Sequence, residues 1–114
     1  TLFSLRYGLD LLRDIGIQSQ DIRLIGGAAK SPMWRQAVAD IMATPLVCPE
    51  HTEAAALGAA IQAAWCVGGD AVSLEHLCNA CVHLDQRTST HPNPLRSAQY
   101  EKVYQVYLAR LGSL

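Results

Sequence analysis

Leucine and isoleucine recur at helical spacing at the start of the chain. The apolar positions of this segment are Leu2, Leu5, Leu9, Leu12 and Ile15. Side chains spaced by three or four residues share one face of a helix. Gly16 follows them, at a position where glycine commonly ends a helix. The pattern therefore predicts an amphipathic helix that stops before Gly16.

Two short apolar runs predict β-strands in the first half of the chain. One covers residues 21–25 and ends at Gly26, and the other covers residues 46–48 between two prolines. We expect the two strands to be parallel, because a helical segment separates them and βα units form parallel sheets. Two strands make a poor sheet alone, so the sequence predicts one part of a larger sheet.

Further helices are predicted from caps and apolar spacing. Ser31 is a suitable N-cap and Pro32 suits the first helical position, so a helix begins there. Its inward side chains are expected to be Trp34, Val38 and Ile41. The predicted helices cover residues 32–42, 53–67 and 72–80, and a last one from about residue 94 carries Tyr100, Tyr104, Tyr107 and Leu111 on one stripe. The order of these elements predicts an α/β layered fold, with an irregular polar stretch at residues 85–93.

Two glycines stand between the first strand and the helix after it. The segment reads Leu24-Ile25-Gly26-Gly27-Ala28-Ala29-Lys30-Ser31-Pro32. Glycine has no Cβ and leaves backbone N–H groups accessible, and the helix dipole favours negative charge at a helix N-terminus. The turn therefore suits a phosphate group. An ordinary βα turn, with glycine present for steric reasons, is the alternative.

Composition and charge indicate which kinds of binding partner are not expected. The net charge is −1 and lysine occurs only at Lys30 and Lys102, so no nucleic-acid partner is expected. No apolar run approaches the roughly 20 residues that span a bilayer, so no membrane partner is expected. The chain starts at Thr1 without a secretory-signal pattern, which indicates a trimmed or internal start. We interpret the four cysteines as reduced thiols of a cytoplasmic protein.

A cluster of histidine and cysteine suggests a competing chemistry. His76, Cys78, Cys81 and His83 lie within eight residues of one another. In common zinc sites about a dozen residues or more separate two pairs of ligands. These four residues have no such separation. On a helix the two cysteines share a face and the two histidines do not join them. We therefore expect packed cysteines and no metal ligands, with a small zinc module as the alternative.

The motifs taken together resemble a known enzyme family. Gly26-Gly27-Ala28-Ala29-Lys30-Ser31 is followed by Trp34, Gln36, Ala39-Asp40 and Pro45, and then by Glu53-Ala54-Ala55-Ala56-Leu57-Gly58-Ala59-Ala60. In this order they resemble the C-terminal domain of the FGGY carbohydrate kinases, over residues 1 to about 68. Within that family the glycine motif is most similar to the members that phosphorylate xylulose.

The resemblance implies both a fold and an activity. The fold would be an actin-like, ribonuclease H-like ATPase with two α/β domains around a cleft. Residues 1–114 would be the C-terminal segment of its nucleotide-binding domain, and residues 70–93 a variable insertion. The enzyme would transfer the γ-phosphoryl group of ATP, with Mg2+, to the pentulose D-xylulose. The residues implied in ATP binding are Gly26, Gly27, Ala28, Lys30 and Ser31.

The sequence lacks two other patterns of that family. It contains neither the Asp-x-Gly-Thr phosphate loop nor the catalytic aspartate, so the sugar site is expected in the N-terminal part of a longer protein and the chain alone is expected to be inactive. Asp40 matches a packing or capping position, Trp34 a core position and Glu53 a helix cap. The resemblance is compatible with a homodimer. The alternatives are a kinase of ribulose, gluconate or glycerol, and a non-catalytic nucleotide-binding or zinc module.

Overall fold

The computed structural model describes all 114 residues as five helices and a three-stranded sheet. The elements are α1 (Leu2–Asp14), β1 (Ile22–Arg23), α2 (Pro32–Met42), β2 (Leu46–Pro49), α3 (Ala54–Gly68), α4 (Leu74–Cys81), β3 (Leu84–Thr90) and α5 (Pro94–Gly112). Short 3-10 helices cover Gly27–Lys30 and Gly69–Ala71. The predicted α/β class is confirmed. None of the five helices combines the length and the hydropathy that crossing a bilayer requires.

The sheet has the strand order β1-β2-β3. β1 and β2 are parallel, with Ile22 opposite Leu46 and Arg23 opposite Val47, which confirms the predicted pair. β3 runs antiparallel to β2. The prediction of an irregular stretch at residues 85–93 is therefore wrong for most of its length. β3 carries no apolar pattern because it is an edge strand with no fully buried residue.

β3 pairs with β2 irregularly. Leu46 lies opposite Thr90, but Cys48 lies opposite Asp85, so β3 contains extra residues between the two pairs. Within this bulge, the backbone N–H of Cys48 donates to Oγ1 of Thr88 at 2.8 Å. A threonine side chain therefore takes the place of a backbone carbonyl in the ladder.

The end of α1 and the start of α2 lie where their predicted caps place them. Gly16 follows α1 with φ of 93°, and its N–H donates to the carbonyl of Arg13 at 2.9 Å. The N–H of Trp34 donates to Oγ of Ser31 at 3.4 Å at the start of α2. α2 ends at Ala43, which adopts a left-handed φ of 50°.

Three predicted details of the helices are wrong. Trp34 is 46% exposed instead of inward, although it lies near Leu2 of α1 and Tyr100 of α5, because these neighbours leave an open cavity beside it. Glu53 occupies the N-cap of α3, but its side chain makes no capping hydrogen bond. α4 begins at Leu74, two residues later than predicted, because the N–H of His76 donates to Oγ of Ser73 and defines the cap there.

The buried core lies where α2 packs on β2. Its members are Val38, Ala39, Met42, Leu46 and Cys48, with Leu2, Leu9, Ile22, Leu24 and Ala29 packed against them. Only 11 of the 114 residues are buried. The accessible surface is 7898 Å², whereas a compact monomer of this mass exposes about 6,100 Å². Much apolar surface therefore remains open, including Leu5, Leu12 and Ile15 of the α1 stripe.

A polar network ties α1 to the C-terminal end of α2 and to α5. Arg13 Nη2 donates to the carbonyl of Met42 at 3.0 Å, where a cation offsets the helix dipole. Asp10 lies 3.0 Å from both Arg6 Nε and Arg13 Nη1. The hydroxyl of Tyr104 on α5 donates to Asp10 Oδ2 at 2.9 Å. The three helices are therefore joined through one carboxylate.

Burial and hydrogen bonding shift the pKa of both partners in this network. Burial, followed by the hydrogen bond to Asp10, raises the pKa of Tyr104 to about 12. Burial opposes ionisation of Asp10, but hydrogen bonds from Arg6 and Tyr104 outweigh it and lower the pKa of that carboxyl. The pair is therefore a neutral phenol bonded to a carboxylate at neutral pH. On the predicted tyrosine stripe, Tyr104 is buried whereas Leu111 is 39% exposed.

Candidate functional site

A polar cavity of about 330 Å³ lies at the carboxyl ends of β1 and β2. Its lining comes from the segment after β1, the segment after β2, the first turns of α2 and the start of β3: Leu24, Ile25, Gly26, Ala29, Lys30, Arg35, Cys48, Pro49, Glu50, His51, Thr52, Asp85 and Thr88. Open α/β sheets bind ligands at the carboxyl ends of their parallel strands. This position makes the cavity the candidate functional site.

Two of the five residues implied in ATP binding line this cavity. Gly26 and Lys30 contribute to the lining, whereas Gly27, Ala28 and Ser31 belong to the same turn but lie outside it. Lys30 is exposed and takes part in none of the salt bridges of the chain. The structure therefore brings the turn to the cavity and leaves one ammonium group free beside it.

β1 ends at Arg23 instead of at the predicted residue 25, and the turn that follows it contains a 3-10 helix. The N–H of Ala29 donates to the carbonyl of Gly26 at 3.1 Å, and the N–H of Ser31 donates to the carbonyl of Ala28 at 3.3 Å. These bonds close a 3-10 helix before α2 begins at Pro32. The predicted cap is confirmed, since the hydroxyl oxygen of Ser31 accepts from the N–H of Trp34 at the start of α2.

The two glycines of the turn have different structural roles. Gly26 has φ of 85° and ψ of −166°, a region that is essentially restricted to glycine. Gly27 has no such constraint, and a Cβ built there meets nothing within 4 Å. The fold therefore requires glycine at position 26, whereas the chain leaves open space for a side chain at position 27.

Charges of both signs surround the cavity. Lys30 and Arg35 lie on the side of the turn and of α2, and Asp85 lies on β3. The Asp85 carboxylate accepts from Nε of Arg87 at 2.9 Å and from Nη2 at 3.0 Å. The hydrogen bond from Arg87, with a smaller contribution from the charge of Arg35, lowers the pKa of Asp85 and keeps it ionised at neutral pH.

Asp40 has a structural role. It is 2% exposed, and its Oδ1 accepts from Gln36 Nε2 at 2.8 Å and from the backbone N–H of Asn93 at 2.7 Å. Arg96 Nε lies 3.1 Å from its Oδ2. Asp40 therefore fixes the N-terminal end of α5 against α2, which confirms the packing interpretation.

The histidine and cysteine cluster does not form a metal site. No group of three or more histidine, cysteine, aspartate or glutamate side chains comes close enough to hold a metal ion. Cys78 instead lines a mainly apolar cavity of about 410 Å³ between α3 and α4. All four cysteines are free thiols. The zinc alternative therefore has no support in this geometry.

Sequence reasoning missed most of the polar lining. The missed residues are Arg35, Glu50, His51, Thr52, Asp85 and Thr88. The carboxyl-end rule for parallel strands could have indicated residues 50–52, because β2 was predicted correctly. Asp85 and Thr88 had no such signal, because the strand that carries them was not predicted.

Comparison with protein families identifies the segment that carries the turn. Residues 1–67 match the C-terminal domain of the FGGY family of carbohydrate kinases. The chain belongs to this family. The matched residues include β1, the glycine turn, α2, β2 and most of α3, so the resemblance in the motifs is confirmed.

Individual relatives agree with the family. The xylulose kinase of Haemophilus influenzae is 48% identical over 112 residues, which are 98% of this chain and 22% of that protein. The ligand-bound xylulose kinase from Lactobacillus acidophilus has a TM-score of 0.83 at 24% identity, and the gluconate kinase from that organism 0.81 at 24%; each match covers 99% of this chain and 22% of the other. The chain therefore has the fold of part of an actin-like ATPase domain and spans about a fifth of these relatives.

Proposed function

We propose that the cavity beside Gly26 and Lys30 is part of the ATP site of a cytoplasmic kinase that converts D-xylulose to D-xylulose 5-phosphate. Residues 1–114 form the C-terminal segment of its nucleotide-binding domain, with residues 70–93 as a variable insertion. The observation that carries this proposal is the position of the glycine turn. It lies at the carboxyl ends of two parallel strands, within the segment that matches the FGGY C-terminal domain.

The turn offers donors and charge that suit a nucleotide. The N–H groups of Gly27 and Ala28 precede the first internal bond of the turn, and such groups have no partner within a helix. The free ammonium of Lys30 adds positive charge next to them. In the proposal, Gly26 and Gly27 lie against the α-phosphate and ribose of ATP, and Ser31 borders the adenine.

The chain contributes nucleotide binding and no catalytic residue. Phosphoryl transfer depends mainly on positioning and on neutralising charge, and this segment would hold and orient the ATP. The side chains of the chain do not fit a magnesium site of their own, since no metal-holding group assembles. Mg2+ therefore enters the proposal as part of MgATP, because Mg2+ in such sites commonly takes its oxygen ligands from substrate phosphates, water and only one or two protein carboxylates. The sugar site and catalytic aspartate belong to the N-terminal part.

Support for D-xylulose comes from the relative in Haemophilus influenzae, which is named a xylulose kinase. The gluconate kinase neighbour has nearly the same fold over this segment, so the segment itself does not select the sugar. The test is a coupled assay of the longer kinase with MgATP and D-xylulose, D-ribulose, gluconate or glycerol. We expect the highest kcat/KM with D-xylulose. A higher kcat/KM with another substrate would reject D-xylulose as the substrate, but the assignment as a carbohydrate kinase would stand.

The same assay includes the 114-residue chain alone. We expect it to be inactive and to bind MgATP more weakly than about millimolar, because an affinity near that value corresponds to only about −4 kcal/mol and the other domain supplies much of the site. Micromolar binding by a clean monomer would show that the chain is a complete nucleotide-binding domain, against the proposed assignment.

The nucleotide assignment is tested by Gly27→Val in the longer kinase. A Cβ at this position meets nothing within 4 Å, so the variant should fold. The new side chain would occupy the proposed place of ATP, and the KM for ATP should rise about tenfold or more while the KM for sugar changes little. Gly112→Val is the matched control, since a Cβ there also meets nothing within 4 Å. An unchanged KM for ATP would remove Gly27 from the site.

A further inference from the structure

Arg35 connects α2 to the middle of the glycine turn. Its Nη1 donates to the carbonyl of Ala29 at 2.7 Å, and the residue lines the candidate cavity. The thiol of Cys48 on β2 also lies 3.9 Å from that carbonyl. One backbone oxygen of the turn is therefore held from the helix and touched from the strand.

The turn's own hydrogen bonds restrain it weakly. Those at its two ends, from Ala29 N–H to the Gly26 carbonyl and from Ser31 N–H to the Ala28 carbonyl, measure 3.1 Å and 3.3 Å. A 3-10 helix has poorer hydrogen-bond geometry than an α-helix, and its last carbonyls have no partner of their own. The turn also begins at a glycine with positive φ, which has wide conformational freedom in the absence of restraint.

The hydrogen bond to Ala29 does not use all the donors of the Arg35 guanidinium. Its Nε is buried and has no hydrogen-bond partner in the chain. The charge of Arg35 also reaches Asp85 across the cavity, where it adds to the larger effect of the Arg87 hydrogen bond in lowering the pKa of that carboxyl. A buried donor without a partner destabilises the fold, so local stability alone does not account for arginine at this position.

We infer that Arg35 is a positioning residue of the nucleotide site, which acts by fixing the Ala29 carbonyl. Through that carbonyl it orients the N–H groups of Gly27 and Ala28 and the side chain of Lys30. Arg35 acts through the turn and touches no reacting atom. The inference rests on the proposed ATP site, and it adds a residue outside the glycine motif.

The kinetic test compares Arg35→Gln with Arg35→Lys in the longer kinase. Arg35→Gln removes the charged donor, and the KM for ATP should rise about tenfold, the loss expected for one hydrogen bond to a charged group, with kcat and the sugar KM little changed. Arg35→Lys retains a charged donor and should recover part of that loss. Arg110→Gln, on the last turn of α5, is the matched control and should behave as the parent enzyme.

Amide hydrogen exchange without nucleotide tests the turn directly. Exchange of the Ala29 and Ser31 amides should become faster in Arg35→Gln, less so in Arg35→Lys, and remain unchanged in Arg110→Gln. Unchanged exchange in both Arg35 variants would overturn the inference whatever the kinetics show. Faster exchange with an unchanged KM for ATP would mean that Arg35 holds a turn outside the nucleotide site, and this result would count against the proposed function itself.

Discussion

α2 and α3 flank β2 in the chain but bury very different amounts of surface. α2 has five consecutive buried residues, Val38 to Met42, whereas α3 buries only Ile61. Yet α3 is the more apolar sequence, since Gln62 is its only polar side chain. Trp65 and Val67 on α3 are 42% and 90% exposed. The contrast shows that burial depends on which neighbours a helix has, and not on its composition alone.

The two sides of the molecule therefore differ in how complete they are. On the α2 side, α1 and α5 close the core through the Asp10 and Asp40 networks. On the α3 side, the short α4 leaves an open apolar cavity of about 410 Å³. A helix that is apolar all round is typical of a protein interior. If the chain is part of the longer kinase proposed above, we expect residues outside 1–114 to cover α3.

The largest expected difference between the two sides concerns buried charge. Asp40→Ala removes two hydrogen bonds and an ion pair from a residue that is 2% exposed, and should lower the free energy of unfolding by about 3 kcal/mol. Asp70→Ala, exposed after α3, should change it by less than about 0.5 kcal/mol. Urea denaturation of the 114-residue chain, followed by circular dichroism, measures both. Equal effects would contradict the contrast.

A matched pair of valines gives the next largest difference. Val38 is 3% exposed and Val67 is 90% exposed, and both lie on helices. In the 114-residue chain, Val38→Ala should cost about 2 kcal/mol and Val67→Ala close to nothing. The same two variants in the longer kinase sharpen the comparison, because covering α3 should make Val67→Ala destabilising there. If Val67→Ala stays neutral in both proteins, α3 is not covered at that position.

The smallest expected effect on the free energy of unfolding is on the α2 side of the molecule, and it depends on pH. Tyr104→Phe removes the hydrogen bond to Asp10 and should cost about 1.5 kcal/mol at neutral pH. Because folding raises the pKa of Tyr104 to about 12, its contribution is complete below pH 10 and is lost as the pH rises through 12. The stability difference between the parent and the variant should therefore shrink across that interval.

Tyr7→Phe is the control for this measurement. Tyr7 lies on α1 and is 39% exposed. Its substitution should change the free energy of unfolding by no more than the few tenths of a kcal/mol that are usual for surface changes, at every pH of the measurement. A constant difference between Tyr104→Phe and the parent up to pH 12 would contradict the assigned role of the hydroxyl.

Local signals in the sequence predicted part of the fold and part of the site. Ser31, Pro32 and Gly16 mark helix ends because caps depend on neighbouring residues only, and the parallel strands follow from the helix between them. β3 could not be found in this way, because a polar edge strand is defined by its pairing with β2. Trp34 was misplaced because helical spacing identifies a face of α2 but not how completely the neighbouring helices cover each residue on it.

The residues of the candidate site also fall into two groups, those that the sequence could predict and those that it could not. Gly26 and Lys30 could be predicted because the turn is a contiguous motif. Arg35 and Asp85 could not, because their proximity depends on how α2 and β3 pack around the turn. Residue spacing along the chain indicates which backbone segment approaches a ligand. The residues that line the rest of the cavity can be identified only from the tertiary structure.

The bulge where Thr88 replaces a backbone carbonyl has a consequence for how the sheet can grow. A strand with extra residues and a side chain in its ladder is a poor template for another strand, so the β3 edge is protected against further pairing. β1 pairs with β2 in regular register and presents its other edge without such a device. Extension of the sheet in the longer protein is therefore directional. In the longer kinase proposed above, an additional strand would therefore join the sheet beside β1.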